Sequence, residues 1–259
     1  MLRFKNLGSG STGNATVVEG ASGTEVSRLL VDCGFGIRQL QSRLALAALR
    51  PEDIDAVFIT HEHSDHIGCA QTLALRYGIP VWMSAGTHAA LGSPDLGGWL
   101  RVARDMEPID LTTFTAQPFT VPHDAREPLQ LRCTDGTAIL GVMTDLGHAS
   151  DHVLRQLEGC HALMIEANHD PDLLAASSYP TFLKRRVGGR FGHLANAASA
   201  DILRAVRHDG LQCVVAAHLS ARNNAPPLAR LALSEALGWA EDRVVVAGPL
   251  DGTNWLSVG

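Results

Sequence analysis

The stretch that most constrains this chain is residues 60–66, THEHSDH, which places three imidazoles and a carboxylate directly after an apolar run. The apolar run predicts a buried strand. If the backbone after it stays extended, His61 and His63 point the same way, because side chains alternate along a strand. Asp65 and His66 then face a neighbouring point. This loop therefore offers ligands to two adjacent metal ions, whereas a single His-x-His pair would favour a solvated polar loop.

Three more candidate ligands stand at the ends of predicted strands farther along the chain. His123 and His218 each follow an apolar run, and Asp145 follows a hairpin predicted for residues 129–143. A carboxylate at the Asp145 position can bridge two metals, since each of its oxygens can bind one ion. Any one of these residues alone would be uninformative. Together with residues 60–66 they indicate one assembled metal site.

Two other motifs near these residues have structural interpretations. The glycine-rich segment 8–14, GSGSTGN, lacks the Gly-Lys-Ser/Thr ending of a phosphate-binding P-loop. It is predicted to be a tight hairpin connection between strands at residues 2–7 and 15–19. Asp32, at the end of another predicted strand, is expected to hold the loop around the site through hydrogen bonds rather than to bind metal.

Composition limits the architecture and the setting. With 259 residues, 46% of them apolar, and no linker or repeat, the chain is expected to form one domain, residues 1–259. No run of about twenty apolar residues predicts a membrane helix, and no secretory signal is recognised, so a cytoplasmic location is expected. Five scattered cysteines fit buried thiols in a reducing compartment better than a disulfide framework. The oligomeric state is left open.

Charge and aromatic content bear on nucleic-acid binding. A net charge of −6 argues against a broad basic platform, and an aromatic content of 5% argues against an extended stacking platform. A dense basic patch, Lys184, Arg185 and Arg186, nevertheless lies shortly before His193. Such a run is usually a solvated face. Beside a catalytic histidine it would bind substrate phosphates, and this is our hypothesis for the patch.

Several of these motifs resemble those of the metallo-β-lactamase superfamily. The His-x-His-x-Asp-His stretch is similar to the superfamily signature. The wider set is similar to the exonuclease branch typified by YycJ and WalJ, which is related to ribonuclease Z and to PhnP cyclic phosphodiesterases. The similar motifs cover nearly the whole chain and are residues 7–14, 30–34, 60–66, 144–147, 166–170, 192–194 and 218–220.

The resemblance implies an α/β fold, the four-layer αβ/βα sandwich of two mixed sheets flanked by helices. It implies two divalent metal ions, zinc or manganese with iron as an alternative. The implied ligands are His61, His63 and His123 for one ion, Asp65, His66 and His218 for the other, and Asp145 between them. The family pattern assigns catalysis to Asp65 and to His193, the latter protonating the leaving oxygen, and it brings Asn14 near substrate.

The implied activity is hydrolysis of nucleic-acid phosphodiester bonds through a hydroxide shared by the two ions, with a DNA exonuclease favoured. A small-molecule cyclic phosphodiesterase of the PhnP kind is the first alternative, with a thioesterase or lactamase-type acyl hydrolase next. A non-catalytic binding protein fits the complete ligand set poorly. The chain departs from the branch at Ala195, where a serine is usual, and this weakens any substrate contact made by that hydroxyl.

Overall fold

Two seven-stranded sheets form the centre of the structure, a computed structural model that describes residues 1–259. The first sheet consists of β1 (Leu2–Gly8), β2 (Ala15–Ser22), β3 (Glu25–Val31), β4 (Ala56–Phe58), β5 (Val81–Met83) and β6 (Leu100–Val102), with β14 (Leu256–Val258) at the edge beside β1. The second consists of β7 (Ile109–Asp110), β8 (Thr115–Thr120), β9 (Leu129–Thr134), β10 (Ile139–Met143), β11 (Ala162–Glu166), β12 (Cys213–Ala217) and β13 (Val244–Val246), in the order β13-β12-β11-β10-β9-β8-β7.

Both sheets follow the same plan. Each begins with antiparallel pairs, β1 to β3 in the first sheet and β7 to β10 in the second. Each then continues in parallel, from β3 to β6 and from β10 to β13. Because parallel strands need crossover connections, helices lie between them in sequence and cover the outer faces of the sheets.

The helices form the two outer layers. They are α1 (Ile37–Leu46), α2 (Ser64–Ile67), α3 (Ala70–Tyr77), α4 (Ala85–Ala90), α5 (Asp151–Leu157), α6 (Pro171–Ala176), α7 (Thr181–Val187), α8 (Asn196–Val206) and α9 (Pro226–Leu237). One apolar cluster, with Phe4, Phe58 and Leu131, fills the space between the sheets. Two more clusters lie between the sheets and the helices, one under α1 and α3 and the other under α5, α8 and α9. The four-layer αβ/βα sandwich expected from the sequence is therefore confirmed.

The carboxyl ends of the parallel strands bring polar side chains to one edge of the sandwich. Asp32 follows β3, and the segment 60–66 begins two residues beyond β4. In the second sheet, Asp145 follows β10, Glu166 ends β11 and His218 follows β12. Both Asp32 and His218 have positive φ, 58° and 55°, a left-handed conformation that non-glycine residues rarely adopt. Such strained positions cluster at functional sites.

None of the helices combines the length and the apolarity that crossing a membrane requires. All five cysteines are free thiols, and four of them are buried.

Candidate metal centre

His61, His63 and His123 form the first cluster of converging nitrogens. His61 Nε2 lies 2.9 Å from His63 Nδ1, and His123 Nε2 lies 3.4 Å from the same His63 atom. The extended backbone predicted after β4 accounts for the common direction of His61 and His63. Three imidazole nitrogens this close are suited to binding one cation, because their lone pairs would otherwise oppose one another.

Asp65, His66 and His218 form the second cluster. His218 Nε2 lies 3.3 Å from Asp65 Oδ2, and His66 Nε2 lies 3.7 Å from the same oxygen. The short helix α2, which starts after His63, turns Asp65 and His66 away from the first cluster. Both triads expected from the resemblance are therefore brought together, each with its ligand atoms within 4.8 Å of one another.

Asp145 lies between the two clusters and is fully buried. Its Oδ2 is 2.8 Å from His66 Nε2, and its Oδ1 is 3.1 Å from His218 Nδ1. Neither oxygen has a well-aligned hydrogen bond. A buried carboxylate without such bonds is costly, and bound cations would satisfy both oxygens. The donor set, imidazoles and carboxylates with no thiolate, also fits zinc, manganese or iron.

Hydrogen bonds behind the clusters fix which ring nitrogen faces inward. Asp32 Oδ2 accepts a 2.7 Å bond from His66 Nδ1, and Asp32 Oδ1 accepts from the Thr60 hydroxyl at 3.0 Å. The Thr60 hydroxyl lies 3.0 Å from His61 Nδ1. The Gly192 carbonyl accepts from His123 Nδ1 at 3.0 Å. Each of these rings therefore presents Nε2 to the centre, as metal-binding histidines do. The structural role predicted for Asp32 is confirmed.

Glu166 holds His193 at the edge of the centre. Glu166 is fully buried, and its Oε1 accepts a 2.7 Å bond from His193 Nδ1 while lying 3.2 Å from His218 Nδ1. Its Oε2 accepts backbone N–H bonds from Leu146 and Leu194. Although burial opposes ionisation, the charge of His193 and its hydrogen bond keep the pKa of Glu166 below its ordinary value. His193 is thereby locked through Nδ1, which leaves Nε2 for other chemistry.

The pKa values divide the histidines into two kinds. Burial and the charge of His66 lower the pKa of His61 well below its ordinary value, and burial likewise lowers that of His123. Burial alone would also lower the pKa of His218, but Asp145 and hydrogen bonds to carboxylates raise it to about 9. Low pKa values keep His61 and His123 neutral and ready to donate lone pairs, while His218 lies in the field of buried carboxylates that favours positive charge.

A cavity of about 330 Å³ opens over these residues. His63, Asp65, Asp145, His193 and His218 lie on one side of it, and only 3 of its 16 lining residues are hydrophobic. A volume of this size is at the small end for ligand sites, and its polar lining suits a charged group better than an acyl chain.

The four residues predicted to bind substrate lie in different surroundings. Arg186 lines the cavity, where its Nε donates a 2.6 Å bond to Asp124. Lys184 instead donates to the Ala175 carbonyl, and Arg185 is exposed with no ion-pair partner. Asn14 is buried beneath the metal centre, where its amide donates to the carbonyls of Gly10 and Asp65. Among these four predicted substrate contacts, only Arg186 reaches the cavity.

Asp124 and Asn223 are among the polar residues of the cavity that sequence reasoning missed. Asp124 Oδ1 lies 3.4 Å from His123 Nε2 and 3.9 Å from His63 Nε2, while its other oxygen accepts from Arg186. Its position directly after His123 was the available signal. Asn223 is 1% exposed, lines the cavity and has a side-chain oxygen without a partner. No motif in the sequence marks Asn223, since it lies in an irregular loop.

Comparisons with known proteins agree with this geometry. Residues 8–164 match the family model described as the Metallo-beta-lactamase superfamily. The chain is 35% identical over 243 residues to Exodeoxyribonuclease YycJ of Bacillus anthracis, a match covering 91% of this chain and 89% of that protein. It is 32% identical over 245 residues to Exodeoxyribonuclease WalJ of Streptococcus pneumoniae, covering 93% and 90%.

Structural comparison leads to the same fold. The crystal structure of the metallo-beta-lactamase fold protein YhfI from Bacillus subtilis superimposes with a TM-score of 0.76 and covers 99% of this chain and 100% of that one. The sequence identity in this superposition is 18%, so the likeness concerns the fold alone.

Proposed function

This chain belongs to the metallo-β-lactamase superfamily, and from that membership we propose that it is a metal-dependent phosphodiesterase that hydrolyses nucleic-acid phosphodiester bonds, acting as a DNA exonuclease. Its two relatives with 32–35% identity over most of the chain are both named exodeoxyribonucleases. The arrangement of Asp145 between two ligand triads, next to a histidine held by Glu166, is the observation that carries the proposal.

Two divalent ions, zinc or manganese, are proposed for the centre. His61, His63 and His123 would hold one ion, Asp65, His66 and His218 the other, and Asp145 would serve both. When bound, such ions supply Lewis-acid activation of water and neutralise charge on the phosphate. The chain itself sets which nitrogen faces each ion, through Asp32, Thr60 and the Gly192 carbonyl.

We assign His193 as the general acid. Its Nδ1 donates to Glu166, so Nε2 is the nitrogen free to hold a proton in the cavity. Burial alone would lower the pKa of His193, but the charge of Glu166, the hydrogen bond to Glu166 and the nearby Asp145 carboxylate raise it well above its ordinary value. A protonated ring at this position can deliver its proton to the leaving oxygen when the phosphodiester bond breaks.

Arg186 supports the phosphodiester assignment from the lining of the cavity. Its guanidinium lies at the cavity rim on the same side as Asp124, and a guanidinium is suited to bidentate recognition of phosphate. Neither Lys184 nor Arg185 lines the cavity. We propose that these two residues contact more distant phosphates, and more weakly than Arg186 does.

A cyclic phosphodiesterase of small molecules is the second candidate. The cavity volume of about 330 Å³ would hold a single nucleotide-sized ligand, which is what favours this alternative. Unlike an exonuclease, such an enzyme needs no surface beyond the cavity, since its substrate is not a polymer.

A substrate panel tests the proposal. Zinc-loaded and manganese-loaded protein should be assayed against end-labelled DNA, RNA, bis-p-nitrophenyl phosphate, a cyclic ribose phosphate and a thioester. We expect release of mononucleotides from DNA and turnover of the chromogenic diester. Activity restricted to the cyclic phosphate would favour the second candidate, and activity on the thioester alone would overturn the phosphodiester assignment.

A further inference from the structure

The helix α7 and the loop after it form an unusually exposed surface beside the cavity. No residue of α7 is buried. Phe182 on this helix is 73% exposed, and Phe191 in the loop is 58% exposed. The other five phenylalanines of the chain are all buried. Two aromatic rings, one on α7 and one in the loop after it, are therefore left largely in solvent, where packing of the core does not account for them.

The same surface is positively charged in an otherwise acidic protein. Residues 173–200 contain no aspartate or glutamate but include Lys184, Arg185, Arg186 and Arg190, while the chain as a whole carries a net charge of −6. Arg185 has no carboxylate within ion-pair distance, and the side chain of Arg190 contacts only His148. These cations are thus available to an external anion, unlike Arg186, which is already shared with Asp124.

The surface is continuous with the metal centre. Leu183, Arg186 and Val187 line the cavity, and Phe182 and Arg185 stand on the adjoining face of the same helix. The loop that carries Phe191 continues into Gly192 and His193. An added Cβ at Gly192 would lie 2.1 Å from the Arg186 carbonyl, so only glycine permits this close return of the chain.

We propose that this surface, which we call the α7 surface and define as Phe182, Arg185, Arg190 and Phe191, binds the unpaired nucleotides next to the end being cleaved. The inference rests on the proposed function and narrows its substrate class to single-stranded nucleic acid. Unpaired bases expose their faces and can stack on the two phenylalanine rings, whereas the bases of a duplex are already stacked. The arginines between the rings would contact the phosphates.

Other partners fit this surface less well. A lipid surface would favour one contiguous apolar face, whereas here arginines stand between the rings. An acidic protein would satisfy the arginines, but it would have no reason to sit at the rim of a catalytic cavity. Two exposed rings together with arginines that have no carboxylate partner, beside the cavity, match a chain that carries both bases and phosphates.

Binding measurements on stacking variants test the inference. Metal-loaded protein would be titrated with a fluorescent phosphorothioate oligonucleotide of about ten nucleotides, a length typical of single-strand sites. We expect Phe182→Ala and Phe191→Ala each to weaken binding by roughly fivefold to a hundredfold, and Phe182→Trp to restore it, because only a flat ring stacks. Leu46→Ala, which removes a comparably exposed apolar side chain on α1, is the matched control and should bind like the parent.

Two further binding measurements test the inference independently, one with a variant that removes a charge and one with a duplex in place of the single strand. Arg185→Gln should reduce the slope of log affinity against log salt by about 0.7, the value for one phosphate contact on a single strand. A blunt duplex of the same length should bind more weakly than the single strand, and its affinity should not respond to Phe182→Ala. Unchanged single-strand affinity in the Phe182→Ala, Phe191→Ala double variant would overturn the inference, as would equal losses for single strand and duplex.

The design separates this inference from the proposed function. Turnover of bis-p-nitrophenyl phosphate by the unaltered protein tests the metal centre without a polymer. If that turnover is present while the double variant binds the oligonucleotide normally, the α7 surface is not the binding site and the phosphodiesterase proposal stands. If the turnover is absent, the proposed function fails, whatever the affinity for the oligonucleotide.

Discussion

His193 stands beside the two ligand triads and is held there by Glu166. It touches Glu166 through Nδ1 and presents Nε2 to the cavity without belonging to either ligand triad. Replacing His193 with alanine should therefore slow turnover roughly a hundredfold to ten-thousandfold, the usual contribution of a general acid, while metal content stays unchanged. Steady-state kinetics on the chromogenic diester and metal analysis of the same samples are the measurements.

The control for this prediction is His152→Ala. His152 lies outside the centre, where it contacts Asp105 at 3.2 Å, and its replacement should change neither quantity. If His193→Ala lost metal in proportion to activity, His193 would be a ligand and the general-acid assignment would be wrong.

Asp145 should be the residue most sensitive to loss of charge. An asparagine at this position would keep the shape of the side chain but offer one neutral oxygen, whereas the two proposed ions would need an anionic ligand there. We expect Asp145→Asn to lower the metal content from two ions towards one or none, and to reduce turnover by at least the effect of His193→Ala. Metal analysis after desalting gives the stoichiometry, with the exposed Asp201→Asn as control. Full metal occupancy in Asp145→Asn would contradict the bridging role.

At this scale the sequence located the candidate ligands at one site more readily than the residues that orient them. The ligands follow strands, so alternation and strand ends were enough to place His61, His63, Asp145 and His218 at one edge. The contact between Glu166 and His193 could not be read in this way, because it joins β11 to a loop twenty-seven residues later. For Asn14 the motif did indicate a position at the site. Its side-chain amide, however, donates hydrogen bonds to the carbonyls of Gly10 and Asp65 and does not reach the cavity.

Among the secondary-structure elements, α8 lacks a side-chain hydrogen bond at its N-terminus, and a single substitution could supply one. Its N-cap is Ala195, the position at which the chain departs from its branch, and the N–H groups of Ala197 and Ala198 have no hydrogen-bond acceptor. A serine hydroxyl at the cap can accept from one of them. Ala195→Ser should raise the free energy of unfolding by about 1 kcal/mol.

Denaturant titration at constant metal concentration measures this gain. Ala205→Ser, at an exposed position inside the same helix, is the control and should lose a few tenths of a kcal/mol, because serine is a weaker helix former than alanine in the interior. Equal effects of the two variants would show that capping of α8 is not limiting.

Elements with an apolar period were predicted from the sequence, and those without one were not. Apolar residues along one face of residues 195–208 predict a helix, which the structure shows as α8, and the apolar run 213–217 predicts a strand, which is β12. The helix α7 was missed because it buries nothing and so has no apolar stripe to detect. The mixed composition of residues 91–112 predicts an irregular crossing, but β6 and β7 lie there as strands of only three and two residues.

At the scale of the whole molecule, bound metal ions should cross-link the two sheets. The first triad joins loops after β4 and β8, and the second joins loops after β4 and β12, so each ion would cross-link both halves of the sandwich. Ions that bind only the folded state stabilise it by about 2.7 kcal/mol per site at a hundredfold excess over Kd.

Removal of metal should therefore lower the melting temperature by several degrees, since about 1 kcal/mol corresponds to roughly 2–4 °C in a chain of this size. Calorimetry with and without a chelator measures the shift. We expect a single transition in both conditions, in accordance with the proposal that residues 1–259 form one domain. Asp145→Asn should show a much smaller response to the chelator, and an unchanged melting temperature of the parent would contradict cross-linking by metal.

The order of strands in the two sheets could not be predicted from the periodicity of apolar residues. Apolar runs indicated where strands occur, but the pairing of β14 with β1, more than two hundred residues apart, depends on contacts that no local pattern encodes. The sandwich was expected from the resemblance for this reason, because related chains preserve the arrangement of long-range pairs.

The carbonyl of Gly192 has one further consequence. It orients His123, and it belongs to the loop that also presents Arg190 and Phe191. A polymer that immobilises this loop would also restrict the His123 imidazole. Binding of the strand and binding of the proposed ion would then be linked equilibria. Linkage is reciprocal for affinities: if bound metal raises the affinity for the strand by some factor, the bound strand should raise the affinity for the metal by the same factor.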